Sequence, residues 1–145
     1  MKILVVAVGR VKEREVRAAI DDYAGRIRHM RPFTEIEIDD GPGEAVAAAV
    51  RKAAKQALIV PLDASGAQRT SRGFADLVDR WSAQGKGEIA FAIGGREGLP
   101  KSLLGEAPFV LSLSQMTLPH RLARLFLVEQ IYRALTLIRG EPYGM

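Results

Sequence analysis

Three short stretches of this chain carry residue types suited to holding a small organic ligand. They are Leu62-Asp63-Ala64-Ser65-Gly66, Ile93-Gly94-Gly95-Arg96-Glu97-Gly98 and Leu113-Ser114-Gln115-Met116-Thr117-Leu118, the last followed at once by Pro119-His120. Each sets glycine, serine or threonine beside large apolar neighbours. Glycine allows a tight turn or a close approach to the backbone. Apolar walls with a few polar groups are what small-molecule sites are made of. His120 adds a titratable side chain next to the third stretch, and Arg121 and Arg124 flank it. An arginine beside a ligand loop suits oxyanions, because its planar fork pairs with two oxygens at once.

Other chemistries fit less well. The glycine stretch is not GxGxxG, the turn after the first strand offers only Gly9, and no GxxxxGK[ST] sequence exists. A dinucleotide or nucleoside triphosphate site is therefore disfavoured. On spacing alone, the glycines serve equally well as a plain turn. Ser112, Ser114 and Thr117 have no GxSxG elbow around them, and no acid near in sequence orients His120 as a base. His120 is as readily a packed or solvated helix-start residue, and Asp63 a turn cap. There is no cysteine, and His29 and His120 are the two histidines, without HExxH spacing. Disulfides and thiolate chemistry are excluded, and no metal site is expected.

The elements that must position these stretches read as an alternation. Residues 2–8 form an apolar strand ended by Gly9. Val16, Ile20, Tyr23 and Ile27 recur at helical spacing, which predicts an amphipathic helix over 13–28. Thr34, Ile36 and Ile38 alternate with Glu35 and Glu37, as in a strand with one wet face near a sheet edge. Residues 44–56 are alanine-rich and helical. Residues 58–62 are a strand with Pro61 expected at its end, and 63–66 a loop. Ser71 is placed to cap a helix through Trp81, with Phe74, Leu77, Val78 and Trp81 on one face; Gly85 and Gly87 end it. Residues 89–93 and 109–113 are two more strands, with a helical turn near 99–104 between them. Thr117 is a candidate cap for a final helix that begins at Pro119 and runs to Arg139.

This order predicts an α/β fold: a mostly parallel sheet with helices on both faces, as a single domain over 1–145. Ligands in such sheets bind beyond the carboxyl ends of the strands, where the three small-residue stretches lie. The last helix carries Leu122, Leu125, Phe126, Val128, Ile131, Tyr132, Leu135 and Ile138. That is more than one apolar stripe, which predicts a homodimer through this helix. With 145 residues, 48% of them hydrophobic, and a net charge of +4, the chain reads as a folded globule with a weak bias toward a polyanionic partner. No stretch is long enough to span a bilayer, so no membrane partner and a cytoplasmic location are expected.

Taken together, Leu62-Asp63, Ile93-Gly94-Gly95-Arg96-Glu97-Gly98-Leu99, Ser114-Gln115-Met116-Thr117-Leu118-Pro119-His120, Tyr132-Arg133-Ala134 and Pro142-Tyr143 resemble one family. It is the large-subunit ribosomal RNA methyltransferase H family, of the SPOUT class, and the likeness extends over essentially the whole chain. The resemblance implies a C-terminal trefoil knot, a homodimer, and S-adenosyl-L-methionine as the cofactor. It also implies methylation of N3 of a pseudouridine in 23S rRNA, on the assembled ribosome. By matching motif, the cofactor residues would be Leu62, Gly94, Leu113, Ser114, Gln115, Met116, Thr117 and Leu118. The catalytic candidates would be Tyr143 as a substrate-orienting group, with His120 and Arg124 near the target. The tail departs from the family's histidine-rich ending: Glu141 stands for the first histidine, and Gly144-Met145 for the histidine and basic residue after the tyrosine. Two other readings stand beside this one, a non-catalytic ribosome-binding dimer and a flavodoxin-like nucleotide-binding enzyme.

Overall fold

Ile3, Val5 and Val6 in the first strand and Ile89, Ala90, Phe91 and Ala92 in the fourth are wholly buried, as central strands covered on both faces require. The computed structural model describes residues 1–84 and 87–144. Along the chain the elements are β1 (Lys2–Val8), α1 (Arg14–Arg28), β2 (Phe33–Ile38), α2 (Gly43–Ala54), β3 (Leu58–Gln68), α3 (Ser71–Ser82), β4 (Glu88–Ile93), α4 (Lys101–Glu106), β5 (Leu111–Ser112) and α5 (His120–Arg139), then a 3-10 turn at Pro142–Gly144. The strands form one sheet in the order β2-β1-β4-β3-β5, and every pairing is parallel. This is the expected α/β architecture, and β2 is indeed an edge strand.

The two faces of the sheet are built differently. Ile89, Phe91 and Ile93 join Ile3 and Val5 under α1, α3 and α5. The alternate residues Ala90 and Ala92 face the thinner layer, where Val46, Val50 and Ala54 of α2 and Leu103 of α4 pack. Large side chains thus meet three helices and small ones let α2 sit close. Phe91 anchors the thick side, with ring centroids 5.7 Å from Phe74 and 6.3 Å from Trp81.

Several local expectations are corrected. Residues 63–66 are not a loop outside the ladder: β3 continues through them to Gln68, and its register against β5 shifts between Leu62 and Ala67. Pro61 therefore lies inside β3, where the pairing with β4 stops at Ala92, so its missing N–H disrupts little. The strand expected over 109–113 shrinks to Leu111–Ser112, because Phe109 turns away to pack 5.4 Å from Trp81. Thr70, not Ser71, caps α3, its hydroxyl accepting from the Gly73 N–H at 3.0 Å; Ser71 instead donates to Gln130 of α5 at 2.7 Å. Pro119 occupies the cap position of α5, so Thr117 is not its cap. Helix α3 ends at Ser82, and Gly85 lies outside the described residues.

One contact fixes how β5 approaches. A Cβ on Gly66 would stand 2.6 Å from the Val110 carbonyl oxygen and 2.9 Å from the Leu111 carbonyl carbon. Only glycine permits that spacing, which the Ala67 N–H to Val110 O bond at 2.9 Å depends on. Gly66→Ala is expected to cost about 1–3 kcal/mol in urea unfolding, as overpacking against backbone does. Gly25→Ala, in α1 with nothing near its Cβ position, should instead stabilise by about 0.5–1 kcal/mol.

Candidate functional site

The carboxyl ends of β3 and β4 and the segment after β5 converge on one cavity of about 230 Å³. Strand β3 contributes Leu62, Asp63 and Ala64; the turn after β4 contributes Ile93, Gly94, Gly95, Arg96 and Gly98. The third wall is Leu113, Ser114, Met116, Thr117 and Leu118, closed by His120 and Ala123 of α5. Of the eight residues expected to hold a ligand, seven line this cavity. Gln115 is exposed and does not.

Local hydrogen bonds shape each wall. The Gly98 N–H donates to the Gly95 carbonyl at 3.1 Å, folding the turn back so tightly that a Cβ on Gly94 would lie 2.5 Å from the Gly98 carbonyl carbon. Ser112, almost wholly buried, donates to the Ser114 carbonyl at 3.2 Å, and the Ser114 hydroxyl accepts from the Met116 N–H at 2.9 Å. These hydroxyls build the loop, which leaves them poorly placed to act as nucleophiles. Asp63 accepts from the Ser65 N–H at 3.1 Å and from the Ser65 hydroxyl, the turn-capping role considered for it. Met116 stands 79% exposed at the mouth, although it is a large apolar side chain. His120 Nδ1 is buried without a hydrogen-bond partner among the described residues. A buried, unpaired imidazole nitrogen in a wall of mixed polar and apolar residues fits an organic ligand that brings its own polar groups.

The other two catalytic candidates lie elsewhere. Arg124 is 1% exposed. Its guanidinium pairs with Glu35 at 2.9 Å and with Glu37, and it donates to the Gly9 carbonyl at 3.0 Å. Arg17 joins the same group through Glu35 at 3.2 Å and Asp21 at 2.8 Å. Glu37 is exposed, as the wet face predicts, but Glu35 is largely covered, and both neutralise a buried arginine that ties α5 to β1 and β2. Tyr143 follows α5 in the chain and folds back onto the middle of that helix, at Glu129 and Tyr132. Its hydroxyl donates to Glu129 at 2.9 Å and sits 3.2 Å from the Tyr23 hydroxyl, with Tyr132 packed edge-on at 4.7 Å. Burial, with help from Tyr23 and Glu129, raises its pKa well above the ordinary phenol range. In this position it is a proton donor, and a single chain does not bring it to the cavity. Met145, the last residue of the tail, lies outside the described residues.

With this geometry in view, comparison with known proteins is decisive. A family profile described as "Predicted SPOUT methyltransferase" matches residues 1–144. The chain belongs to the SPOUT methyltransferase family. It is 49% identical to the Ribosomal RNA large subunit methyltransferase H of Sorangium cellulosum over 144 residues, covering 99% of each chain. The protein of that name from Anaeromyxobacter sp. (strain Fw109-5) is 42% identical, and that from Carboxydothermus hydrogenoformans 37%, each with 99% of both chains covered. A solved structure, that of a probable methylase family protein from Haemophilus influenzae Rd KW20, superposes with a TM-score of 0.60 at 14% identity. It covers 95% of this chain and 68% of the other, and shows the shared SPOUT fold. The resemblance drawn from the motifs is borne out at the level of family and of methyltransferase activity. Among the described residues, no helix is long and apolar enough to cross a membrane, and no group of three or more His, Cys, Asp or Glu is placed to hold a metal.

Sequence reasoning missed the carboxylates around Arg124. Their signal was present, since two glutamates at i and i+2 of a strand share one side and need a common partner when covered. Arg124→Met is expected to cost about 1–3 kcal/mol, because Glu35, its side chain only 10% exposed, loses one of its two arginines and the Gly9 carbonyl loses its donor. Denaturant unfolding checks this, and adding Glu35→Gln to Arg124→Met should recover part of the loss.

Proposed function

We propose that the protein transfers the methyl group of S-adenosyl-L-methionine to large-subunit rRNA, at N3 of a pseudouridine in 23S rRNA. One observation carries the reading: seven motif-matched residues, from three separate strand ends, line a single cavity. The names of the full-length relatives support rRNA as the substrate class. Leu62, Leu113, Met116 and Leu118 would hold the adenosine part of the cofactor, with the Gly94-Gly95 backbone close beside it. When bound, the cofactor's sulfonium supplies an electrophilic methyl group.

What remains for the protein is a proton. N3 of the target carries hydrogen, which must leave as the N–CH3 bond forms and the methyl–sulfur bond breaks. His120 is the group we assign to receive it or to steady the resulting anion, on the strength of its unpartnered Nδ1 in the cavity wall. Arg124 has no such role in this reading, since its fork is already saturated. Tyr143 would serve only the cavity of another copy. A homodimer through α5 would supply that copy: Leu122 and Phe126 are each 41% exposed on this helix, beside an apolar groove lined by Ala19, Tyr23 and Leu125. We also read the close passage at Gly66 as the crossing of the knot that the resemblance implies.

Two measurements test this. Calorimetric titration with S-adenosyl-L-methionine should give saturable binding that Gly94→Val abolishes, with the oligomeric state unchanged. Methyl transfer to ribosomes lacking the modification should follow; binding without transfer would favour the non-catalytic ribosome-binding reading, which the altered tail keeps open. Phe126→Glu should convert the dimer to monomer in sedimentation, with loss of transfer and a smaller effect on cofactor binding.

A further inference from the structure

Beside the loop cavity lies a larger hollow of about 780 Å³, at the carboxyl ends of β1 and β2. Val8 and Gly9 form one wall, Asp40 another, and Gly95-Arg96 with the start of α5 a third. The two hollows share Gly95, Arg96, Thr117, Leu118 and His120, so one thin partition divides them. The volume falls within the roughly 300–1,000 Å³ usual for a seated ligand.

Its charges are disposed unevenly. Arg17 and Arg124 are consumed by Glu35, Glu37 and Asp21. Arg96 is exposed and has no ion pair among the described residues. Arg121 has a single long one, 3.8 Å to Glu13, with both side chains well exposed. The Asp40 carboxylate lies in the opposite wall, where it accepts from the Gly41 N–H at 2.8 Å. Helix α5 opens there with Pro119 at its cap position, no side-chain cap and no acid in its first turn, which adds positive potential on the arginine side. His120, in the shared partition, has the buried nitrogen without a hydrogen-bond partner among the described residues.

Resting on the methyltransferase reading above, we propose that this second hollow seats the target nucleotide of the RNA. Arg96 and Arg121 take its flanking phosphates, and His120 stands between the base and the methyl donor. The arginines are well suited, since their forks pair phosphate oxygens and their partners are absent or weak. The Arg124 bond to the Gly9 carbonyl holds the far wall at a fixed distance from α5.

The test compares wild type, Arg96→Gln/Arg121→Gln and a charge-matched control, Lys52→Gln/Arg80→Gln, whose residues lie on α2 and α3 away from both hollows. Each is titrated with ribosomes lacking the modification across a salt series, and separately with S-adenosyl-L-methionine. The groove pair should bind ribosomes about tenfold or more weakly and lower the salt slope by about 1–2, the loss of two phosphate contacts. The Arg121→Gln single variant, whose residue lines the second hollow and not the cofactor cavity, should keep its cofactor Kd within about twofold of wild type, and the control should lose little. The proposal is overturned if the groove pair binds ribosomes like wild type or if the control loses as much. It is also overturned if the loss in Arg121→Gln falls on the cofactor, which would make that arginine a carboxylate holder. If wild type itself binds neither cofactor nor ribosomes, the methyltransferase reading fails first; if it binds both, a null result condemns the groove alone.

Discussion

No side chain fits between Gly66 and the Val110–Leu111 backbone. That bare contact lets β5 lie against the far half of β3, although β3 has already spent its first half on β4. Without it, the segment after β5 would not return to the edge where β3 and β4 end. The cavity is a consequence: its walls are separated in sequence by about thirty and twenty residues, yet one crossing gathers them. Main-chain packing, more than any side chain, decides where the cavity can be.

Helix α5 then fixes the depth and angle of that site. Its buried face, from Leu127 to Leu135, locks into the thick layer with Phe91. Its first turns carry His120 and Ala123 into the cavity wall. Arg124, one turn further, reaches back to Glu35, Glu37 and the Gly9 carbonyl. A buried ion pair contributes little net stability on average. Here its value is geometric, because it couples the last helix to the first strand and the edge strand through a single rigid fork.

Much of this was legible in the chain. The β–α alternation, the buried central strands and the glycine turn after Ile93 follow from period and residue type, and the structure has them. So does the grouping of three strand-end stretches, because parallel sheets put such ends on one edge. What escaped was non-local. The length of β3 and the brevity of β5 depend on Gly66 meeting Val110, forty-four positions away, which no window of sequence reveals. Glu35 looked as solvated as Glu37 because alternation reports that one side differs, not what covers it. Arg124 looked like a site residue because it flanks one in sequence and stands one turn beyond His120; Glu35, Glu37 and the Gly9 carbonyl, from distant parts of the chain, take its guanidinium instead.

The position of those two glutamates matters before the fold is complete. Arg124 comes some ninety residues after them in the chain. As the polypeptide emerges from its N-terminus, β2 is therefore an edge strand whose two carboxylates have Arg17 of α1 but not Arg124, which leaves an excess of negative charge. Like charges on an open strand oppose lateral pairing with other nascent chains. The same carboxylates that hold the finished helix in place thus guard the unfinished sheet against aggregation.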